Sequence, residues 1–142
     1  MAQALDLARL AADDGEVPVG AIVVHKGRMV GRGRNEVGAS LDPTAHAEMT
    51  AMRDAVRALG TARLVGATLY STLEPCAMCA GAAVLARIDR IVFGAHDLKS
   101  GAAVTLYAIP HDPRLNHQCD ILGGVMDGES VELLRDYFKG RR

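Results

Sequence analysis

Between Ala67 and Ala95 the chain reads strand, helix, strand with little left over, and this run restricts the fold more than any other stretch. Ala67 to Leu73 alternates as a buried strand does, Glu74-Pro75 breaks it, and a small-residue helix follows from Cys76 to about Arg87. Arg90 to Ala95 is the next strand. Two strands joined through a helix are expected to run parallel with a right-handed crossover. The flanks continue the alternation. Leu5, Ala8, Ala11 and Ala12 recur at helical spacing ahead of Gly15, and Val19 to His25 and Met29 to Arg34 flank Lys26-Gly27-Arg28 as the arms of a hairpin. The stretch from Asn35 to Thr44 is polar; Thr44, or alternatively Asp42, then caps a helix that carries Met49, Met52, Val56 and Leu59 and stops at Gly60. Gly101 to Asn116 is ambiguous, with Ala102 to Leu106 as a candidate short helix and His111-Asp112-Pro113-Arg114 as loop. Cys119 to Val125 reads as a fifth strand, and Glu129 to Lys139 as a closing amphipathic helix with Val131, Leu134 and Phe138 on one face. The expected class is α/β, a three-layer α/β/α domain with a five-stranded mixed sheet.

Apolar residues make up 49% of the 142 and are spread along the whole length, which favours one domain over 1–142 without repeats or linkers. No apolar run approaches the ~18 residues of a membrane span. The N-terminus also lacks a signal-peptide pattern, so a cytoplasmic protein is expected. Three cysteines argue against a disulfide framework and for metal or redox chemistry, with Cys119 as a spare. With 16 basic against 17 acidic residues the charge balance gives no support for a nucleic-acid partner, so any RNA surface is local. Its best candidate is the C-terminal end, where Lys139, Arg141 and Arg142 gather beside Tyr137 and Phe138; a merely solvated helix end is the plainer reading.

Pro75-Cys76-Ala77-Met78-Cys79 sets two thiols three positions apart, on one helix face and within reach of one metal ion. A thioredoxin-like redox pair is the rival, since a helix start lowers a thiol pKa in either case. His46-Ala47-Glu48 weakens that rival, because a redox pair needs neither the imidazole nor the carboxylate. His46, Cys76 and Cys79 as three ligands leave a fourth tetrahedral position for water, the arrangement of a catalytic zinc site, whereas a fourth ligand from His117 or Cys119 would make the site structural. Glu48 is then the proton carrier. His-x-Glu combined with Pro-Cys-x-x-Cys is the recognised signature of zinc deaminases that act on nucleobases. One geometric demand follows: residues two apart on a regular helix point to nearly opposite sides, so His46 and Glu48 can share a cleft only if it wraps around the helix start.

Glu16-Val17-Pro18-Val19-Gly20-Ala21, Asp42-Pro43-Thr44-Ala45-His46-Ala47-Glu48, Leu73 to Ala82, Phe93-Gly94-Ala95 with Asp97, and Asn116-His117 occur in an order that resembles the bacterial tRNA adenosine deaminases over nearly the whole chain. The His46 to Glu48 segment alone is shared with guanine deaminases; Leu69 to Ala103 and the C-terminus favour the tRNA enzymes. The resemblance implies a cytidine-deaminase-like fold, a homodimer and one zinc per chain. It also implies conversion of the wobble adenosine to inosine in the anticodon stem-loop of an arginine tRNA. Residue by residue, His46, Cys76 and Cys79 match the zinc ligands, Glu48 the proton shuttle, Asn35 a contact to the target nucleotide and Asp97 one near the adjacent sugar. Val17 and Leu73 are expected in the pocket wall. Asn35 closing a turn and Asp97 capping one are the bland alternatives. Glu36 and His96 stand where the family often has basic residues, which bears on RNA affinity and leaves the chemistry untouched. Two rivals complete the expectation: a free-base deaminase for guanine or cytosine, and a non-enzymatic zinc-stabilised RNA-binding domain in which Glu48 has no role.

Overall fold

In the computed structural model, which describes residues 1–141, the elements are α1 (Ala2–Asp13), β1 (Gly20–His25), β2 (Arg28–Arg34), α2 (Val37–Ser40), α3 (Ala47–Leu59), β3 (Ala67–Leu73), α4 (Ala77–Leu85), β4 (Arg90–Ala95), β5 (Asp120–Leu122) and α5 (Asp127–Lys139). They form a five-stranded mixed sheet in the order β2-β1-β3-β4-β5. β1 is antiparallel to both neighbours, whereas β3 and β4 are parallel, as the crossover through α4 requires, and β5 joins β4 in parallel.

Close approach of backbone to sheet fixes the layers. A Cβ on Gly31 would lie 2.2 Å from the Ala51 carbonyl oxygen and one on Gly33 2.4 Å from that of Ala47, so α3 rests directly on β2. On the opposite face, Gly20 leaves the same kind of gap for α1, and Gly94 for Ser130 of α5. Register confirms the split, because Gly33, Ala21, Ser71 and Phe93 pair across the sheet and therefore face α3, while Gly20, Thr72 and Gly94 face the other way. The main core lies under α3 and α4, where Val23, Leu69, Ile91 and Phe93 meet Ala51, Ala55, Ala83 and Ile88. Burying each large side chain there contributes about 1.5–3 kcal/mol.

Several boundaries differ from the sequence expectation. The polar stretch before α3 contains the short helix α2. Its successor starts at Ala47 because Thr44 does not cap it: the Thr44 hydroxyl and N–H both donate to Asp42 Oδ1, at 2.7 and 2.8 Å, closing a turn instead. Cys76 likewise precedes α4, which ends at Leu85. Ala102 to Leu106 forms turns, followed by a 3-10 turn at Ile109–His111. The fifth strand shrinks to three residues. In α5, Ser130 is buried and Val131 is 45% exposed, since the sheet beneath offers only Gly94 and Thr72, room for a hydroxyl and no more. No helix among the described residues is long and apolar enough to cross a membrane.

Candidate active site

Each chemical segment begins at the residue just before a helix and runs into its first turn. His46 is the N-cap of α3 in extended backbone (φ −73°, ψ 152°) and Cys76 the N-cap of α4 in the same region (φ −72°, ψ 175°). This meets the demand that spacing alone could not: leaving the helix at His46 turns its ring away from the direction fixed by helical geometry, so it shares a cleft with Glu48 in the first turn. Pro75 forces the corresponding break ahead of Cys76, and Cys79 lies in the first turn of α4.

The His46 Nδ1 atom lies 3.5 Å from Cys76 Sγ and 3.6 Å from Cys79 Sγ. A tetrahedral zinc with Zn–S of ~2.3 Å and Zn–N of ~2.0–2.1 Å demands N···S edges of roughly 3.5–3.6 Å, so the donor set fits the ion. All three donor atoms lie within 4.8 Å of one another. The Cys79 thiol donates toward Cys76, which, with His46 close by, pushes Cys76 down to about 4 against the opposing effect of burial. Donating that hydrogen bond to Cys76, together with burial, holds Cys79 far above the ordinary thiol range. The hydrogen bond with Cys76 raises His46. A bound dication would deprotonate both thiols outright.

Glu48 is buried at 4% exposure, and burial raises its pKa above the usual carboxylate value. Its Oε1 accepts a hydrogen bond from the Ser71 hydroxyl at 3.2 Å. The group is therefore positioned by β3 while α3 carries it.

A cleft of about 620 Å³ opens over this cluster. His46, Glu48 and Cys76 meet there with Val17, Asn35, Leu73, Asp97 and Phe138, all named from the sequence. Asn35 donates to Glu16 Oε2 at 3.3 Å, and the other Glu16 oxygen accepts from the Ala39 N–H at 2.7 Å. The Asp97 carboxylate caps its own turn, accepting from the N–H groups of Lys99 and Ser100 and from the Ser100 hydroxyl. Tyr137 and Arg141 do not line the cleft. The Tyr137 hydroxyl donates to the Gly15 carbonyl at 3.0 Å, and the Arg141 guanidinium lies 3.8 Å over the Tyr137 ring while donating to the same carbonyl. Lys139 is exposed at the end of α5, and Arg142 lies outside the described residues. Glu36 is held by Arg34 at 3.2 Å, and His96 packs edge-on against Phe93.

Neither candidate fourth ligand joins the cluster. Cys119 is buried in the main core, its thiol pushed up to about 11 by burial, and His117 donates to the Ile88 carbonyl at 2.7 Å. Sequence reasoning missed Glu74. It lines the cleft and is 2% exposed, and burial alone would raise its carboxyl; hydrogen bonds from Thr105, Val104 and Asp97 outweigh this and hold it low. Those partners lie 23 to 31 residues downstream, so no local pattern announces them.

One histidine and two cysteines converging beside a buried glutamate are what a zinc-dependent hydrolytic deaminase requires, and the family match makes the chain one. Residues 1–95 match the family described as the cytidine and deoxycytidylate deaminase zinc-binding region. Within that class the chain belongs to the tRNA-specific adenosine deaminase family. It is 44% identical to the tRNA-specific adenosine deaminase of Bacillus subtilis over 142 residues, all of this chain and 88% of that one. A solved structure from work on A-to-I editing by tRNA:A34 deaminases superposes with a TM-score of 0.89 at 45% identity, over 92% of this chain and 95% of that one. A guanine deaminase from Bacillus subtilis is more distant, with a TM-score of 0.65 and 33% identity over 74% of this chain and 78% of that one.

Proposed function

We propose that this enzyme converts the wobble adenosine in the anticodon stem-loop of an arginine tRNA to inosine. The observation that carries the reading is the joint arrangement: a His46–Cys76–Cys79 donor set and a buried Glu48 at the floor of a cleft whose wall includes Asn35, Asp97 and Phe138. The similarity along the full length to tRNA-specific adenosine deaminases supports the choice of substrate.

His46, Cys76 and Cys79 would hold the zinc. When bound, the metal supplies Lewis-acid activation of water near neutral pH. Glu48 would take a proton from the attacking water and pass it to N1 of the unstacked adenine as the C6–O bond forms, then protonate the amine as the C6–N bond breaks and ammonia leaves. Water is consumed, ammonia is released, and the adenine becomes hypoxanthine, the base of inosine. Burial suits Glu48 to this exchange by making its neutral form accessible, while the Ser71 hydroxyl keeps the carboxylate aimed. Asn35, braced by Glu16 in the cleft wall, is read as the contact to the target nucleotide, and Asp97, also in the cleft wall, as one near the adjacent sugar. Phe138 offers a ring on which an unpaired base can stack.

The whole chain is read as one deaminase domain, since both helical layers share a single sheet. It is further read as a cytoplasmic homodimer. Val104, Leu106 and Tyr107, all exposed within four residues, are apolar groups that a second copy could cover. Light scattering of the zinc-loaded protein tests the dimer. For the reaction, the test is nucleoside mass spectrometry after incubation with an arginine tRNA stem-loop carrying a wobble adenosine, alongside free adenosine, guanine and cytosine. Inosine in the stem-loop is the expected product; turnover of a free base without it would leave only a zinc deaminase of another substrate.

A further inference from the structure

The deamination scheme leaves Glu74 unused, although its side chain is wholly buried two positions before Cys76. A buried carboxylate is costly unless its oxygens are matched. Four hydrogen bonds match these. Oε1 accepts from the N–H groups of Val104 (2.8 Å) and Thr105 (2.9 Å); Oε2 accepts from the N–H of Asp97 (3.1 Å) and from the Thr105 hydroxyl. All four donors belong to one segment, 97–105, which has neither helix nor strand of its own. Gly101 lets that segment close over the carboxylate, for a Cβ there would stand 2.5 Å from it. Asp97, Leu98, Lys99 and Ser100 of the same segment line the cleft, and the segment gives no donor atom to the His46–Cys76–Cys79 cluster.

We infer that Glu74 is a positioning residue: it gathers segment 97–105 into the rim of the cleft and so governs how tightly the polynucleotide is held, not how fast the base reacts. The inference rests on the tRNA reading above. Contacts made equally before and during reaction appear in KM and leave kcat in place. The metal donors are held by the starts of α3 and α4, where the Thr50 N–H donates to the His46 carbonyl at 3.0 Å and the Ala80 N–H to the Cys76 carbonyl at 2.8 Å, so zinc is retained when Glu74 is altered.

The test is steady-state deamination of the stem-loop by the zinc-loaded wild type, Glu74→Gln, Thr105→Val and Thr105→Ser, with zinc content measured for each. Glu74→Gln keeps the size but turns an acceptor into a donor facing donors, and should raise KM about tenfold while kcat stays within about threefold. Thr105→Val, which loses only the hydroxyl, should move KM the same way by less, and Thr105→Ser should restore the wild-type value. If Glu74→Gln does not fold, the Thr105 pair decides. A fall in kcat at unchanged KM, loss of zinc from a folded variant, or a Thr105→Val enzyme equal to wild type overturns the inference while the tRNA reading stands. Absence of inosine with the wild type overturns the tRNA reading and this inference together.

Discussion

The floor and the rim of the cleft are built by opposite means. At the floor, Glu48 and Cys79 are buried, and their places are fixed by two helices seated on a sheet. Along the rim, segment 97–105 has no regular structure, and the end of α5 reaches the body through a few polar contacts to Gly15. A floor set by packing tolerates no change of ligand. A rim set by hydrogen bonds can be retuned without touching the chemistry.

The floor is most sensitive at the metal site. Cys79→Ala should leave the purified protein without its zinc and without measurable inosine formation, as metal analysis and nucleoside mass spectrometry would show. A variant that keeps one zinc per chain would mean that the floor has another ligand. Glu48→Ala comes next: it should retain zinc and fold, yet lose at least the roughly 10²–10⁴ in rate typical of a general acid–base group. Near-normal turnover there would remove Glu48 from the mechanism.

Smaller effects sharpen the rim. Lys139→Ala should flatten the slope of log affinity against log salt for the stem-loop by about 0.7, one phosphate contact. Arg141→Ala should leave the slope nearly unchanged and instead loosen the end of α5, read as faster amide exchange there, because its guanidinium already serves Tyr137 and Gly15. Equal slope changes in the two variants would show that Arg141 leaves those partners to bind RNA.

Legibility in the sequence divides along the same line. The strand–helix–strand run from Ala67 to Ala95, the hairpin, and the His46–Glu48 and Cys76–Cys79 segments could be read because each depends on neighbours within a few positions. Glu74 could not, since a carboxylate before Pro75 looks like a loop residue until Thr105 is brought to it. Nor could Arg141, whose basic character pointed outward while its contacts lie at Gly15. Val131 is exposed where periodicity expects it inside, because the periodicity of α5 shows that a stripe exists but the small residues of β3 and β4 choose Ser130 to fill it. The cap of α3 moved from Thr44 to His46 for a local reason that competed with the expected one, the turn at Asp42.

That displaced cap has a cost in resilience. Helix starts favour Ser, Thr, Asp or Asn, whose side chains satisfy a free N–H, and replacing such a cap costs about 1 kcal/mol. Here α3 and α4 begin at His46 and Cys76, and neither side chain makes a capping hydrogen bond. Two adjacent helices therefore forgo a routine source of thermal tolerance for the sake of ligands; a bound ion would leave those N–H groups unsatisfied but would tether the two helix starts to each other. The fold's heat resistance should accordingly follow metal supply: stripping zinc with a chelator should lower Tm and open amide exchange first at residues 50–53 and 80–83, the first hydrogen-bonded turns of α3 and α4, before the sheet responds.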